Sequence, residues 1–137
     1  MGIFNLFGKK DASEDLIKGM PYRISTEWVP YKLYASRKSS STLVIRVKNM
    51  TKEVLLTSVV IELPKQLAFD NISIEKEKEL RLGELAPDEE REIRTEVMTT
   101  LSSDPGEYTL SLTAIAHYRD YGHVINEVKR RVAVEVV

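Results

Sequence analysis

The chain reads as an all-β protein, an antiparallel β-sandwich of about seven strands behind a short N-terminal tail, and three observations lead there. From Tyr22 onward, short segments rich in Val, Ile, Thr, Leu and Tyr recur about every ten residues, separated by clusters of Pro, Gly, Asn, Asp and Ser. Within several of these segments apolar and polar residues alternate, the pattern of a strand with one buried face. A length of 137 residues suits one domain, and folding at this size buries roughly two-thirds of the surface that the unfolded chain exposes.

Residues 1–19 are read as the tail, in which Ile3, Phe4, Leu6 and Phe7 precede Gly8, Lys9 and Lys10 and then a polar run from Asp11 to Asp15. Residues 20–137 are read as the sandwich. Its first strand is predicted over residues 22–28. Pro30, which brings no ladder donor, interrupts it, and residues 31–34 continue on the other sheet. Residues 35–41 are polar and form a loop. Leu43, Ile45 and Val47 alternate with Val44, Arg46 and Lys48, so the odd positions face the core.

After a turn at residues 49–52, Leu55, Val59, Ile61 and Leu63 share one face of a strand that Pro64 ends, and residues 65–69 are irregular. A further strand is predicted near residues 71–74 or 79–82. The sign-alternating run 75–79 suits a solvated turn or a protected sheet edge. Residues 83–88 read as a loop. Ile93, Thr95 and Val97 mark the inner face of the next strand, and residues 102–106 turn the chain.

Two long strands close the domain. Leu110, Leu112, Ala114, Ala116 and Tyr118 form the inner face of one, and Val124, Val128, Val132, Val134 and Val136 that of the other. Both sets are even-numbered, which constrains the hairpin register. A three-residue loop of Asp120, Tyr121 and Gly122 pairs Tyr118 with Val124 and Arg119 with His123, with Gly122 in the left-handed position. A two-residue loop would set Glu127 opposite Ala116 and is rejected.

In order along the chain, residues 43–49, then "IELPKQLAF" ending at Phe69, "LGELAPDEE" from Leu82 and "PGEYTLSLTAIAHY" from Pro105 together resemble the immunoglobulin-like modules common in archaeal and bacterial proteins. The nearest resemblance is to the cell-adhesion-related bacterial domain (CARDB-like) and its alpha-galactosidase-associated relatives. It covers residues 22–137 and implies an immunoglobulin-like sandwich used as a binding or spacer module, with no catalytic residues to carry over. Such modules usually stand as repeats in exported chains, so adhesion is not carried over to a single copy behind a cytoplasmic-looking start. Tyr108, which opens the penultimate strand, takes the position of the tyrosine corner, a structural role in which the phenol bonds back to the backbone.

Charge and composition narrow the function. Lys plus Arg number 20 and Asp plus Glu 21, a formal net charge of −1, so nucleic acid is not an expected partner. Cysteine is absent, which removes disulfides, thiolate metal sites and cysteine nucleophiles. No run approaches the ~18 apolar residues of a membrane span, and the expectation is a cytoplasmic protein, peripheral to the membrane if the tail docks there. No cofactor is expected.

The candidate residues follow from these limits. In the tail, Ile3, Phe4 and Phe7 fall at helical spacing beside Leu6, so an apolar face would form on contact with a partner groove or a membrane, with Lys9 and Lys10 at headgroup level. His117, Asp120 and His123 have metal-ligand chemistry, and the predicted register sets both histidines on one outer face. The acidic run Asp88, Glu89, Glu90 and Glu92 is interleaved with Arg91 and Arg94 and reads as self-neutralising. Lys129 and Arg131 point outward, with Arg130 at the core rim. Tyr22, Trp28, Tyr31 and Tyr34 read as packing residues, and the sequon at Asn49 as chance.

The leading expectation is therefore a non-enzymatic protein-interaction or scaffold module with an unidentified protein partner. The alternatives are a metal-dependent hydrolase built on the His/Asp hairpin cluster, or a carbohydrate- or nucleic-acid-binding sandwich. A homodimer by sheet-edge pairing is also expected, since the chain ends in the β-prone run 132–137.

Overall fold

The computed structural model describes residues 20–35, 38–70, 74–100 and 103–137. Nine strands occur there: β1 Tyr22–Val29, β2 Lys32–Leu33, β3 Ser40–Asn49, β4 Leu55–Glu62, β5 Leu67–Ala68, β6 Glu77–Leu85, β7 Glu90–Thr99, β8 Gly106–His117 and β9 Val124–Val136. Seven are long, and β2 and β5 are two residues each. One sheet has the order β1-β3-β7-β5 and the other β2-β9-β8-β4-β6. All pairs are antiparallel except β2 with β9. This is an immunoglobulin-like sandwich.

The core follows from alternation. Leu43, Ile45 and Val47 of β3 face Val59 and Ile61 of β4 and Leu110, Leu112 and Ala114 of β8, all of them buried. Val128, Val132, Val134 and Val136 complete the inner face from β9. Burial of each such aliphatic side chain contributes about 1.5–3 kcal/mol. Pro30 carries the chain between sheets: β1 pairs with β3, and β2 then pairs with the end of β9.

Two polar anchors tie the layers together. The Tyr22 hydroxyl, in a side chain 1% exposed, lies 2.7 Å from Thr57 Oγ1 on the opposite sheet. Either hydroxyl can donate in this pair, since Thr57 Oγ1 also reaches the Leu55 carbonyl at 3.0 Å and the Tyr22 hydroxyl the Ile115 carbonyl at 3.4 Å. Asn49 is fully buried, and its Nδ2 donates to the carbonyls of Glu53 and Leu85 at 2.7 and 2.9 Å while Oδ1 accepts from Thr51 N at 2.8 Å. Its place in the sequon is thus occupied by a structural amide.

Two expectations are corrected. The loop predicted at residues 83–88 is shorter, because β6 runs through Leu85, with Leu82 as an extra residue opposite the Thr57–Ser58 step and Gly83 at φ 77°. A β-bulge of this kind places a glycine where the pattern suggests a turn. The strand expected near residues 79–82 is β6, and the charged run falls partly in it at the edge of the sheet, one of its two expected places; of the alternative strand position, residues 71–73 lie outside the described residues.

The second correction concerns the final hairpin. Its register matches the prediction up to Ala116, opposite Asn126, but His117 then pairs with Val124 and Ile125 is the extra residue. One added residue exchanges faces, so Val124 leaves the inner side and is 58% exposed. Tyr118, expected inside, is 54% exposed beyond the end of the core, with the Arg119 guanidinium 5.1 Å from its ring centre. The left-handed position belongs to Arg119 at φ 70°, not Gly122.

Burial raises the Tyr22 phenol above its ordinary value of 10.0, against the lowering effect of the Thr57 hydrogen bond. A raised phenol contributes stability that is present below the unfolded value and lost as pH rises through the folded one. Urea midpoints are expected to fall above pH 10 in the wild type and to fall less in Tyr22→Phe, which itself loses about 1 kcal/mol at neutral pH. Equal alkaline sensitivity in the two proteins would refute this role.

Candidate functional site

The bulged hairpin tip folds onto the outer face of the five-stranded sheet. Tyr118 N bonds the His123 carbonyl at 2.9 Å, and His123 N bonds the Asp120 carbonyl at 3.2 Å. Asp120 Oδ1 accepts from Gly122 N at 2.9 Å and lies 2.8 Å from His123 Nδ1. The His123 contact first, and the Gly122 bond second, hold the Asp120 carboxyl below its ordinary range.

This turn delivers Tyr121 over β4 and β6. Its hydroxyl accepts from Gly83 N at 3.0 Å, a donor that the β6 bulge turns out of the ladder. Its ring meets the His117 ring edge-on, with centroids 5.0 Å apart and planes at 69°, and the Arg81 guanidinium lies over the Tyr121 ring, 4.7 Å from its centre. Beneath it, His117 Nε2 lies 2.7 Å from Ser58 Oγ. Ser58 is fully buried and His117 is 5% exposed.

The expected metal set is not assembled this way. His117 is sealed against Ser58, whereas His123 is exposed and turned to Asp120. Among the described residues no three His, Cys, Asp or Glu side chains gather as metal ligands. Ser58 and Tyr121 are contacts that strand periodicity did not reveal, because a serine in a strand and a tyrosine in a turn carry no sign of meeting.

The other candidates divide by place. Ile3, Phe4, Leu6, Phe7, Lys9 and Lys10 lie outside the described residues. The Tyr108 hydroxyl donates to the Asp104 carbonyl at 2.6 Å, joining the start of β8 to the turn before it. Trp28 is half-buried, and its Nε1 donates to the Ala133 carbonyl at 3.0 Å. Tyr31 and Tyr34 are exposed. On the outer face of the four-stranded sheet, Arg46 bonds Glu27 and Glu92 at 3.0 and 3.1 Å, and Arg94 bonds Glu92 at 3.0 Å, a mutually paired ladder. Among the described residues no helix is long and apolar enough to cross a membrane.

The feature that stands apart is the outer edge of β9. β8 covers one side of the strand along its length, but β2 covers the other only at Glu135 and Val136. The N–H and C=O of Val137 point to the β2 side, as does the Ala133 carbonyl that Trp28 caps. With a period of two, the backbone groups of Glu127, Lys129 and Arg131 point the same way, and among the described residues no strand pairs with them. All three side chains are exposed, and Ile125 at the head of the stretch is 58% exposed. Sequence reading placed the open edge at residues 132–137; the structure caps that end and opens residues 125–131.

No family model matches the sequence, and no curated protein matches it. Among solved structures the chain is similar to part of the native conformation of E. coli alpha-2-macroglobulin, at 14% identity over 85% of this chain with a TM-score of 0.61. It spans 7% of that protein's length. It is also similar to AvmM, described as catalysing macrocyclization in alchivemycin A biosynthesis, at 7% identity over 85% of this chain and 88% of that one, with a TM-score of 0.51. A FixG-related protein from Vibrio parahaemolyticus aligns at 15% identity over 82% of this chain and 94% of that one, with a TM-score of 0.44. At such identities the similarity shows the sandwich fold alone.

The Tyr121 seal has a chemical test. Diethyl pyrocarbonate is expected to modify His123 alone in the wild type and both His123 and His117 in Tyr121→Ala, as located by peptide mass mapping. Modification of His117 at the same rate in both proteins would show that Tyr121 does not protect it.

Proposed function

We propose that this domain is a non-enzymatic protein-interaction module that works by strand addition, taking an extended segment of a protein partner along the open edge of β9. The observation that carries this reading is the row of outward backbone groups at Glu127, Lys129 and Arg131, which among the described residues no strand pairs between the hairpin and the Trp28–Ala133 contact. Side chains alone reach it, Asn126 Oδ1 accepting from Glu127 N at 2.8 Å and Arg130 Nη1 donating to the Lys129 carbonyl at 3.2 Å, and an added strand displaces both. An added strand gains main-chain hydrogen bonds there, and side chains beside it supply selectivity. Tyr118, Val124 and Ile125, each more than half exposed, offer apolar contacts at the head of the groove. The resemblance to bacterial and archaeal spacer and binding modules points in the same direction. The Ser58–His117 pair supports a structural role instead of a hydrolytic one, since Tyr121 closes it from above.

Lys129→Pro tests the reading directly, because proline removes the outward N–H at an edge position while leaving the ladder to β8 in place. Partner capture from a host extract is expected with the wild-type chain and to be lost, by tenfold or more, with Lys129→Pro at an unchanged far-UV spectrum. The same partner retained at the same yield by the variant would overturn strand addition at β9.

A further inference from the structure

The open stretch of β9 is self-complementary, and we infer that it pairs with the same stretch of a second copy, joining two five-stranded sheets into one across a two-fold axis at Val128. The inference rests on β9 being a site of strand addition and names the strand that is added.

The geometry restricts the register. The free stretch runs from the bulge at Ile125 to Arg131, beyond which Trp28 and then β2 occupy the edge. An isologous antiparallel pair centred on the middle of that stretch places Val128 opposite itself. Glu127 then stands opposite Lys129 of the second copy and Lys129 opposite its Glu127, with Asn126 facing Arg130 and Ile125 facing Arg131.

Charge excludes the neighbouring registers. Moving the centre to Glu127 sets glutamates opposite one another, and moving it to Lys129 sets lysines so. A centre at Arg130 faces Lys129 with Arg131. Like charges directly opposite destabilise a strand pair, whereas opposite charges each favour it. A register odd by one residue would turn the outward backbone groups away from their partners and exchange the faces. The Val128-centred register therefore matches charge, phase and the limits of the open stretch at once. Among the described residues the side chains of Glu127 and Lys129 form no ion pair that would compete, and pairing displaces two exposed backbone contacts, Glu127 N to Asn126 Oδ1 and Arg130 Nη1 to the Lys129 carbonyl.

About four backbone hydrogen bonds join the two copies at the Glu127–Lys129 pairs, and the interface falls in the small, reversible class. Sedimentation velocity of the full chain over about 10–500 µM is expected to show a concentration-dependent dimer, as such interfaces do. Glu127→Lys sets lysines opposite one another at both pairs and is expected to weaken the dimer about tenfold. The double variant Glu127→Lys with Lys129→Glu reverses both pairs and is expected to restore wild-type association.

A double variant as weak as the single one, or a dimer that persists in Lys129→Pro, would overturn the inference. A wild type that remains monomeric while Lys129→Pro still loses its captured partner would overturn self-pairing and leave strand addition to a different protein standing. A monomer whose capture is indifferent to Lys129→Pro would overturn both. The substituted positions are exposed, and unchanged thermal midpoints verify that folding is intact.

Discussion

Burial of one face of every long strand against the opposite sheet is the constraint on which the rest of this domain depends. Leu43, Ile45 and Val47 meet Val59, Ile61, Leu110 and Leu112 across the interface, and a strand period of two then settles where every neighbouring residue points. Val128, Val132, Val134 and Val136 cannot turn inward without sending Glu127, Lys129 and Arg131 outward on the other face. The same period fixes the backbone: groups of the even residues of β9 bond to β8, and those of the odd residues face the edge. The open edge is thus a consequence of the core and not a separate device.

What closes an edge is equally physical. β6 guards one end of its sheet with alternating Glu77, Lys78 and Glu79, a pattern that discourages association. At the other end the chain crosses between sheets at Pro30, and β2 is too short to cover more than Glu135 and Val136. Trp28 caps one further carbonyl, at Ala133. Beyond it, protection comes from side-chain contacts to Glu127 N and the Lys129 carbonyl and from charge, the order Glu127, Lys129, Arg131 setting like charges opposite one another in the registers centred on Glu127 and on Lys129.

The sandwich was legible in the sequence because its signals are local and repeated. The alternation in β3, β4, β7, β8 and β9, the interruption at Pro30 and the change of sheet after it all follow from side-chain period and from the missing proline donor. The two bulges were not legible. An extra residue at Leu82 or Ile125 leaves no mark in composition, yet the second moves Val124 to the opposite face. The Tyr121 contact with Gly83 depends on both bulges, so neither the closed Ser58–His117 pair nor the failure of the predicted histidine set to assemble could be read from spacing. The extent of β2 was equally hidden, and with it the position of the open edge.

Residue-resolved hydrogen exchange along β9 tests the central claim most directly. In dilute protein the amides of Val128 and Arg130, which bond to β8, are expected to be protected, while those of Lys129 and Arg131 exchange at rates near those of an unfolded chain. Uniform protection of both sets at dilution would mean that the edge is already covered, and would contradict the account.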